Sequence, residues 1–216
     1  MVLMNIQFYF DPSCPWCWIT SRWLHQVSTK RDITVEWLPF SLAIKNNELN
    51  GDNETPYSGS HVASHKVLQA IEVMIDMDDS LTRFDLYSAY GKRHFVDGVK
   101  YEDIDLKDIC TELNIATGND AAREAISSYD DSLLEEHVKN ATDIVGSDVG
   151  VPLIIFENDD GGKQGYFGPV LQTLPSEQEG LDLWDGLSKL ATSKHFYELK
   201  RGRDSGPDVE STKRLF

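Results

Sequence analysis

Ile6-Gln7-Phe8-Tyr9-Phe10-Asp11-Pro12-Ser13-Cys14-Pro15-Trp16-Cys17 is the stretch on which the reading of this chain turns. Residues 6–10 are rich in aromatic and β-branched side chains and predict a short buried strand. Asp11-Pro12-Ser13 breaks it. Pro15 then stands at the first helical position, where its fixed φ is suited and its missing N–H costs nothing. Cys14 is thereby placed at the N-cap, with its sulfur facing free backbone N–H groups and the positive end of the helix dipole. That setting favours a thiolate, the reactive form of cysteine. Cys17 follows one turn later, close enough to close a disulfide onto Cys14. The chemistry this predicts is thiol–disulfide exchange.

Two other uses of the same four residues were weighed against it. A structural zinc site needs four thiolate or imidazole ligands. The third cysteine, Cys110, falls on an apolar helical stripe and reads as core, where free cysteines are commonly found. His61 and His65 share a helix face, but nothing near them completes a ligand set, and no metal site is expected. A static disulfide is disfavoured because it would close only a tiny loop on an exposed turn.

Composition narrows the partners. The chain has 216 residues, 40% of them hydrophobic and 26% charged, as in an ordinary soluble globular protein. Its net charge of -16, from 36 acidic and 20 basic side chains, argues against nucleic acid and anionic membranes as partners. Met1-Val2-Leu3-Met4-Asn5 lacks a basic leader region and runs straight into the first strand, so no targeting segment is expected. No apolar run approaches membrane-span length. A cytoplasmic location follows as the expectation, and there a C-x-x-C pair is more often catalytic or metal-bound than structural. No Gly-rich phosphate loop of the dinucleotide type follows a strand, which disfavours direct nicotinamide use.

Beyond the redox turn, Ile19, Trp23, Leu24 and Val27 recur at helical spacing, and residues 33–38 alternate as a second strand. A right-handed crossover makes these two strands parallel. Residues 41–57 read as a polar loop. From Leu42 to about Gly146 there is no convincing strand. Helices are predicted over 60–76, 81–94, 103–113, 121–126 and 131–145, with His137 a packed histidine at the edge of the core. Val151-Pro152 opens an apolar strand at 153–156, Asn158-Asp159-Asp160-Gly161-Gly162 is a turn, and residues 164–167 return as a hairpin. Ser176, with Glu179 three residues on, starts the last helix. From Gly202 the composition predicts an extended or mobile arm.

Strand, C-x-x-C helix, strand, helical block, Val-Pro, strand, turn, strand, helix: this order resembles the DsbA-like branch of the thioredoxin superfamily. The expected fold class is α/β, a thioredoxin fold with a large all-helical insertion. Its parts are a discontinuous thioredoxin domain over 1–41 and 147–201, an inserted domain over 42–146, and a tail over 202–216. Longer phrases resemble a narrower group, the actinobacterial mycothiol-dependent reductases known for reducing nitro compounds. They are Phe10 to Trp23, Ser41-Leu42-Ala43-Ile44, Phe167-Gly168-Pro169-Val170-Leu171 and His195 to Arg201. A relative, the kappa-class glutathione transferases, carries serine at the reactive position. Ser13 precedes Cys14 here, but the intact dithiol disfavours that chemistry.

The resemblance implies that Val151-Pro152 is a cis peptide lying against the cysteines, with the Val151 backbone offered to an extended thiol substrate. Cys14 attacks and Cys17 resolves. Trp16 offers a flat apolar wall, whereas Trp18 reads as core. The resemblance also suggests Asn46, Tyr57 and Gly168 as substrate-binding positions. It implies no tightly bound cofactor, mycothiol as the thiol co-substrate, and a small electrophile or disulfide as substrate, with a protein substrate as an open alternative. Two rival functions stay open: a DsbA-type protein disulfide oxidoreductase, and a redox-switched binding or chaperone module. Neither Pro15 nor Trp16 carries a charge that would strongly stabilise the thiolate, so the expected potential is on the order of −200 to −270 mV, more reducing than DsbA.

Overall fold

The computed structural model describes residues 4–115, 119–157 and 161–216. The chain divides into two compact units. One comprises residues 1–10, 14–38 and 139–216, the other residues 11–13 and 39–138.

The first unit is built on a four-stranded sheet in the order β2-β1-β3-β4, with β1 Met4–Phe10, β2 Ile33–Pro39, β3 Leu153–Glu157 and β4 Lys163–Phe167. β1 and β3 are antiparallel, with Phe8 opposite Ile154, and β3 and β4 form an antiparallel pair. The two central strands carry near-continuous apolar runs because both their faces are covered. Phe8, Phe10 and Leu153 to Phe156 are fully buried. Helix α1, Pro15–Ser28, places Trp18, Ile19, Trp23 and Leu24 in this core. Helix α8, Glu177–Ala191, starts at the Ser176 cap as its sequence signature requires. It meets α1 at Gly180, whose carbonyl accepts the Trp23 indole N–H at 2.9 Å, and a Cβ there would crowd the indole ring at 3.0 Å. The turn expected over 158–162 falls largely outside the described residues.

The second unit is helical: α2 Leu42–Lys45, α3 Ser58–Met77, α4 Arg83–Gly91, α5 Leu106–Glu112 and α6 Asn119–Ser127. Helix α7, Ser132–Val145, begins in this unit and ends in the first. The apolar stripes read from the sequence are the buried faces, Val67, Leu68, Ile71 and Met74 on α3 among them. Cys110 is 5% exposed on α5 and His137 is buried on α7.

Three expectations need correction. Residues 41–57 are not loop throughout, because α2 starts at Ser41. Its hydroxyl accepts the Ile44 N–H at 3.2 Å, while the distant Asp11 carboxylate accepts the Leu42 N–H at 2.8 Å. The second cap comes from 31 residues away, so no local pattern announces it. The helix expected to 94 stops as α-helix at Gly91 and continues as one π-turn, Lys92–Val96. The arm from Gly202 is docked rather than free: Val209–Leu215 forms a 3₁₀ helix. Thr212, fully buried, accepts the Trp18 indole N–H at 2.9 Å, and Phe216 stacks on the Trp18 ring. A buried indole N–H needs an acceptor, and the C-terminal segment supplies it.

Candidate active site

Cys14 is the N-cap of α1 and Pro15 its first residue. The Cys14 sulfur accepts the Cys17 N–H at 3.5 Å, so one orphan amide of the first turn is aimed at it. The same thiol donates to the Val151 carbonyl at 3.5 Å, across 137 residues of sequence. Both cysteines are free thiols. Their exposure differs in the direction a two-step exchange needs: Cys14 is 8% accessible and Cys17 is 0%.

Val151-Pro152 is a cis peptide, and so is Gly168-Pro169, which sequence reasoning missed. The two segments are tied together, with the Gly168 N–H donating to the Pro152 carbonyl at 2.8 Å. The Thr20 hydroxyl of α1 donates to the Pro169 carbonyl at 2.8 Å. Gly168 has φ +104, a conformation that side chains rarely adopt, so a residue with a Cβ there is strained. Three separate stretches thus converge on the redox turn: the start of α1, the chain entering β3, and the chain leaving β4.

Trp16 is half-buried and lines a groove of about 710 Å³ together with Gly150, Phe167, Gly168 and Phe196. Trp18 is fully buried, as expected of a core residue, with the Arg22 guanidinium 4.2 Å from its ring centre. Of the eight positions singled out from the sequence, Cys14, Cys17, Trp16, Val151, Pro152 and Gly168 lie in the first unit. Asn46 and Tyr57 lie in the second. There the Asn46 carbonyl, at the end of α2, accepts from Asn53 at 3.0 Å, and the Tyr57 side chain is exposed, its ring 6.2 Å from that of His61.

Asp11 was read only as a strand breaker, yet it is fully buried. Its carboxylate accepts from the Ser13 N–H (2.8 Å), the Ser13 hydroxyl (2.6 Å), the Leu42 N–H (2.8 Å) and the Ser64 hydroxyl (2.7 Å). The Tyr101 hydroxyl donates to the Pro12 carbonyl at 2.7 Å. The three residues just ahead of Cys14 are therefore held at both side chain and backbone. The Asp-x-Ser spacing of a local turn was the available signal. Cys110 belongs to a different environment, where burial pushes its thiol up from the ordinary value. Among the described residues no group of three or more His, Cys, Asp or Glu side chains is placed to hold a metal ion. None of the described helices is long and apolar enough to cross a membrane.

The fold is that of DsbA-like proteins. The cytosolic disulfide reductase DsbM from Pseudomonas aeruginosa superposes with a TM-score of 0.58 at 16% identity, over 87% of this chain and 100% of that one. A probable DsbA oxidoreductase, SCO1869 from Streptomyces coelicolor, gives 0.52 at 14% identity over 94% and 97%. In sequence, the uncharacterized protein Rv2286c of Mycobacterium tuberculosis is 26% identical over 214 residues, 96% of this chain and 86% of that protein. Residues 13–201 match the family model described as Rv2466c-like, mycothiol-dependent nitroreductase Rv2466c. That span runs from the residue before Cys14 through β3, β4 and α8, so the chain belongs to the Rv2466c-like family and is a thiol-dependent oxidoreductase.

Proposed function

We propose that this protein is a cytoplasmic, mycothiol-dependent reductase of small electrophiles, nitro compounds or disulfides, acting through Cys14 and Cys17. The observation that carries the reading is the asymmetry of the dithiol. Cys14 is the less buried residue of the two, its sulfur 3.5 Å from both the Cys17 amide and the Val151 carbonyl, whereas Cys17 is fully buried. The family match supports mycothiol as the thiol. DsbM has also been solved with glutathione, and that structure superposes with a TM-score of 0.57 at 15% identity, over 86% of this chain and 100% of that one. A small thiol as partner is therefore compatible with the fold.

In the reducing half-reaction the Cys14 thiolate attacks one sulfur of a disulfide, forming a mixed disulfide and expelling the other sulfur as a thiolate. Cys17 then attacks Cys14, and the second substrate thiol leaves. The dithiol has lost two electrons and two protons, and the substrate has gained both. With a nitro compound the same two electrons and two protons give the nitroso product and one water. Two mycothiol thiols restore the dithiol and leave as mycothiol disulfide. Val151, beside cis-Pro152, presents its carbonyl as the backbone partner for the entering thiol, and Trp16 and Gly168 flank the entry. The potential expected for this pair is on the order of −200 to −270 mV.

Incubating the Cys17→Ser variant with mycothiol disulfide, glutathione disulfide and oxidised thioredoxin tests the reading, because the Cys14 thiolate can displace one thiol from each and keep the other as a mixed disulfide that Cys17 cannot resolve. Intact mass and a tryptic map should show a mycothiol adduct on Cys14 of the variant, formed much faster than the glutathione adduct. Exchange with thioredoxin and no mycothiol adduct would instead move the protein to the protein-disulfide class.

A further inference from the structure

The groove beside the redox turn is richer in cations than the molecule as a whole, with as many basic side chains lining it as acidic ones. The chain has 36 acidic and 20 basic side chains. Yet Lys200, Arg201 and Arg203, three cations within four positions, all line this groove. Trp16 and the apolar Phe167 and Phe196 line it too. The Arg203 guanidinium lies 5.2 Å from the centre of the Trp16 ring, and among the described residues it forms no ion pair. The strand of chain that carries it is tied at both ends. Before it, the Phe196 carbonyl accepts the Tyr166 hydroxyl at 3.1 Å, and after it the Asp208 N–H donates to the Gln172 carbonyl at 2.7 Å. Arg203 is therefore delivered to the Trp16 face by an anchored segment.

We propose that, among the nitro compounds and disulfides the dithiol reduces, this groove selects those that carry a flat aromatic ring and one carboxylate. The ring packs against Trp16, Phe167 and Phe196 beside the Arg203 guanidinium, which lies over the indole and takes a single carboxylate. The inference rests on the reductase reading and gives it a substrate class. Arginine suits the role because a planar guanidinium can pair with a carboxylate through two parallel N–H donors and still lie over an aromatic face. Asp148, Glu198 and Asp204 also line the groove, and Asp204 already accepts the Ser205 hydroxyl at 2.9 Å. These carboxylates disfavour a second negative charge on the ligand, which sets the preference at monoanions. The other end of the groove reaches Gly150, the residue before Val151, whose carbonyl is 3.5 Å from the Cys14 sulfur. Cys14 is not among the residues that line the groove; Trp16, two positions on in the same helix start, and Gly150 are what bring the groove beside the redox turn.

The test uses two ligands with the same ring system that thiols do not reduce, 2-naphthoate and 2-naphthamide. Their affinities for the reduced, full-length protein are measured by calorimetry. The naphthoate is expected to bind about five-fold more tightly, the size of a single solvent-exposed charge pair, with the advantage shrinking as salt is raised. Arg203→Gln should bring the two affinities together, Arg203→Lys should keep part of the difference, and Trp16→Ala should weaken both ligands alike. Equal affinities in the wild type, or an unchanged ratio in Arg203→Gln, would overturn the proposal. Neither ligand reacts at Cys14, so the result is separate from the mycothiol adduct test. Loss of that adduct would remove the reductase reading while leaving the anion preference of the groove measurable.

Discussion

The sheet unit buries Phe8, Phe10, Trp18, Ile19, Leu24 and Leu153 to Phe156, and apart from its cysteines and tyrosines its buried ionisable side chain is Arg22. The helical unit buries Asp11, Glu48, His65, Glu72 and His137. Its charges sit in networks. Glu72, on α3, takes two bonds from Arg83 of α4, at 2.6 and 2.7 Å. Glu48 accepts from Thr55 and Ser58 at 2.9 Å and pairs with His61 at 2.6 Å. Ser41 and His65 are 3.0 Å apart, and His65 meets Asp131 at 3.2 Å. One unit is thus held mainly by apolar packing and carries the Cys14–Cys17 pair. The other adds hydrogen-bonded buried charges to its apolar core. Apolar packing is indifferent to protonation, whereas a buried carboxylate network is stable only in one protonation state.

This contrast can be broken, and the sharpest attempt is at the redox turn. Cys14→Ser should lower turnover on the order of 10³-fold or more while leaving the thermal melt nearly unchanged, since it removes a nucleophile and little packing. Steady-state kinetics beside circular dichroism reads both quantities at once. A large fall in melting temperature would mean that Cys14 is structural.

Next in size is Glu72→Ala in the helical unit. The Glu72 side chain is 3% exposed and that of Arg83 is 25% exposed, so the guanidinium left behind recovers some water. The cost should be about 2 kcal/mol in urea denaturation, below the usual penalty for breaking a fully buried pair. The Cys14–Cys17 potential should stay put. A shifted potential would show that the two kinds of stabilisation are not separate.

A chain ending at Pro207 tests the sheet unit again. It loses the Thr212 acceptor of the Trp18 indole and the Phe216 ring that stacks on it. A loss of about 1–2 kcal/mol is expected from leaving that N–H without its partner. An unchanged melt would return the tail to the mobile arm that its composition predicted.

The smallest effect sharpens the comparison by pH. Burial pushes the Glu48 carboxyl up, but hydrogen bonds from His61, Thr55 and Ser58, with the His61 charge, outweigh it and hold it below its ordinary 4.5. The unfolded chain then binds the proton more readily than the folded one. The Glu48 contribution is complete above 4.5 and is lost as pH falls from there through the lower folded value. Glu48→Gln should lower stability at neutral pH and flatten the acid limb of a urea-midpoint series. An acid limb as steep as that of the wild type would assign the sensitivity to other groups.

Much of this was legible in advance where the chain decides over one or two turns. Proline at the first helical position, a polarizable N-cap sulfur, and apolar residues at 3.6-residue spacing gave β1, α1, α3 and α7 to within a few residues. The redox pair was legible for the same reason, because Cys14 and Cys17 are placed by one local turn. The role of Asp11 was not, since two of its four bonds come from Leu42 and Ser64, 31 and 53 residues away.

By itself, then, the sequence determined the strand–turn–helix around Cys14-Pro15-Trp16-Cys17, the helical character of the middle of the chain, and the class of chemistry. Only the tertiary structure decided that the Val151 carbonyl faces the Cys14 sulfur, that Thr212 caps Trp18, and that Arg203 lies over Trp16. The first set follows from backbone preferences that neighbouring residues impose on one another. The second joins residues more than a hundred positions apart, and such pairs are settled by which surfaces the collapsed chain buries together.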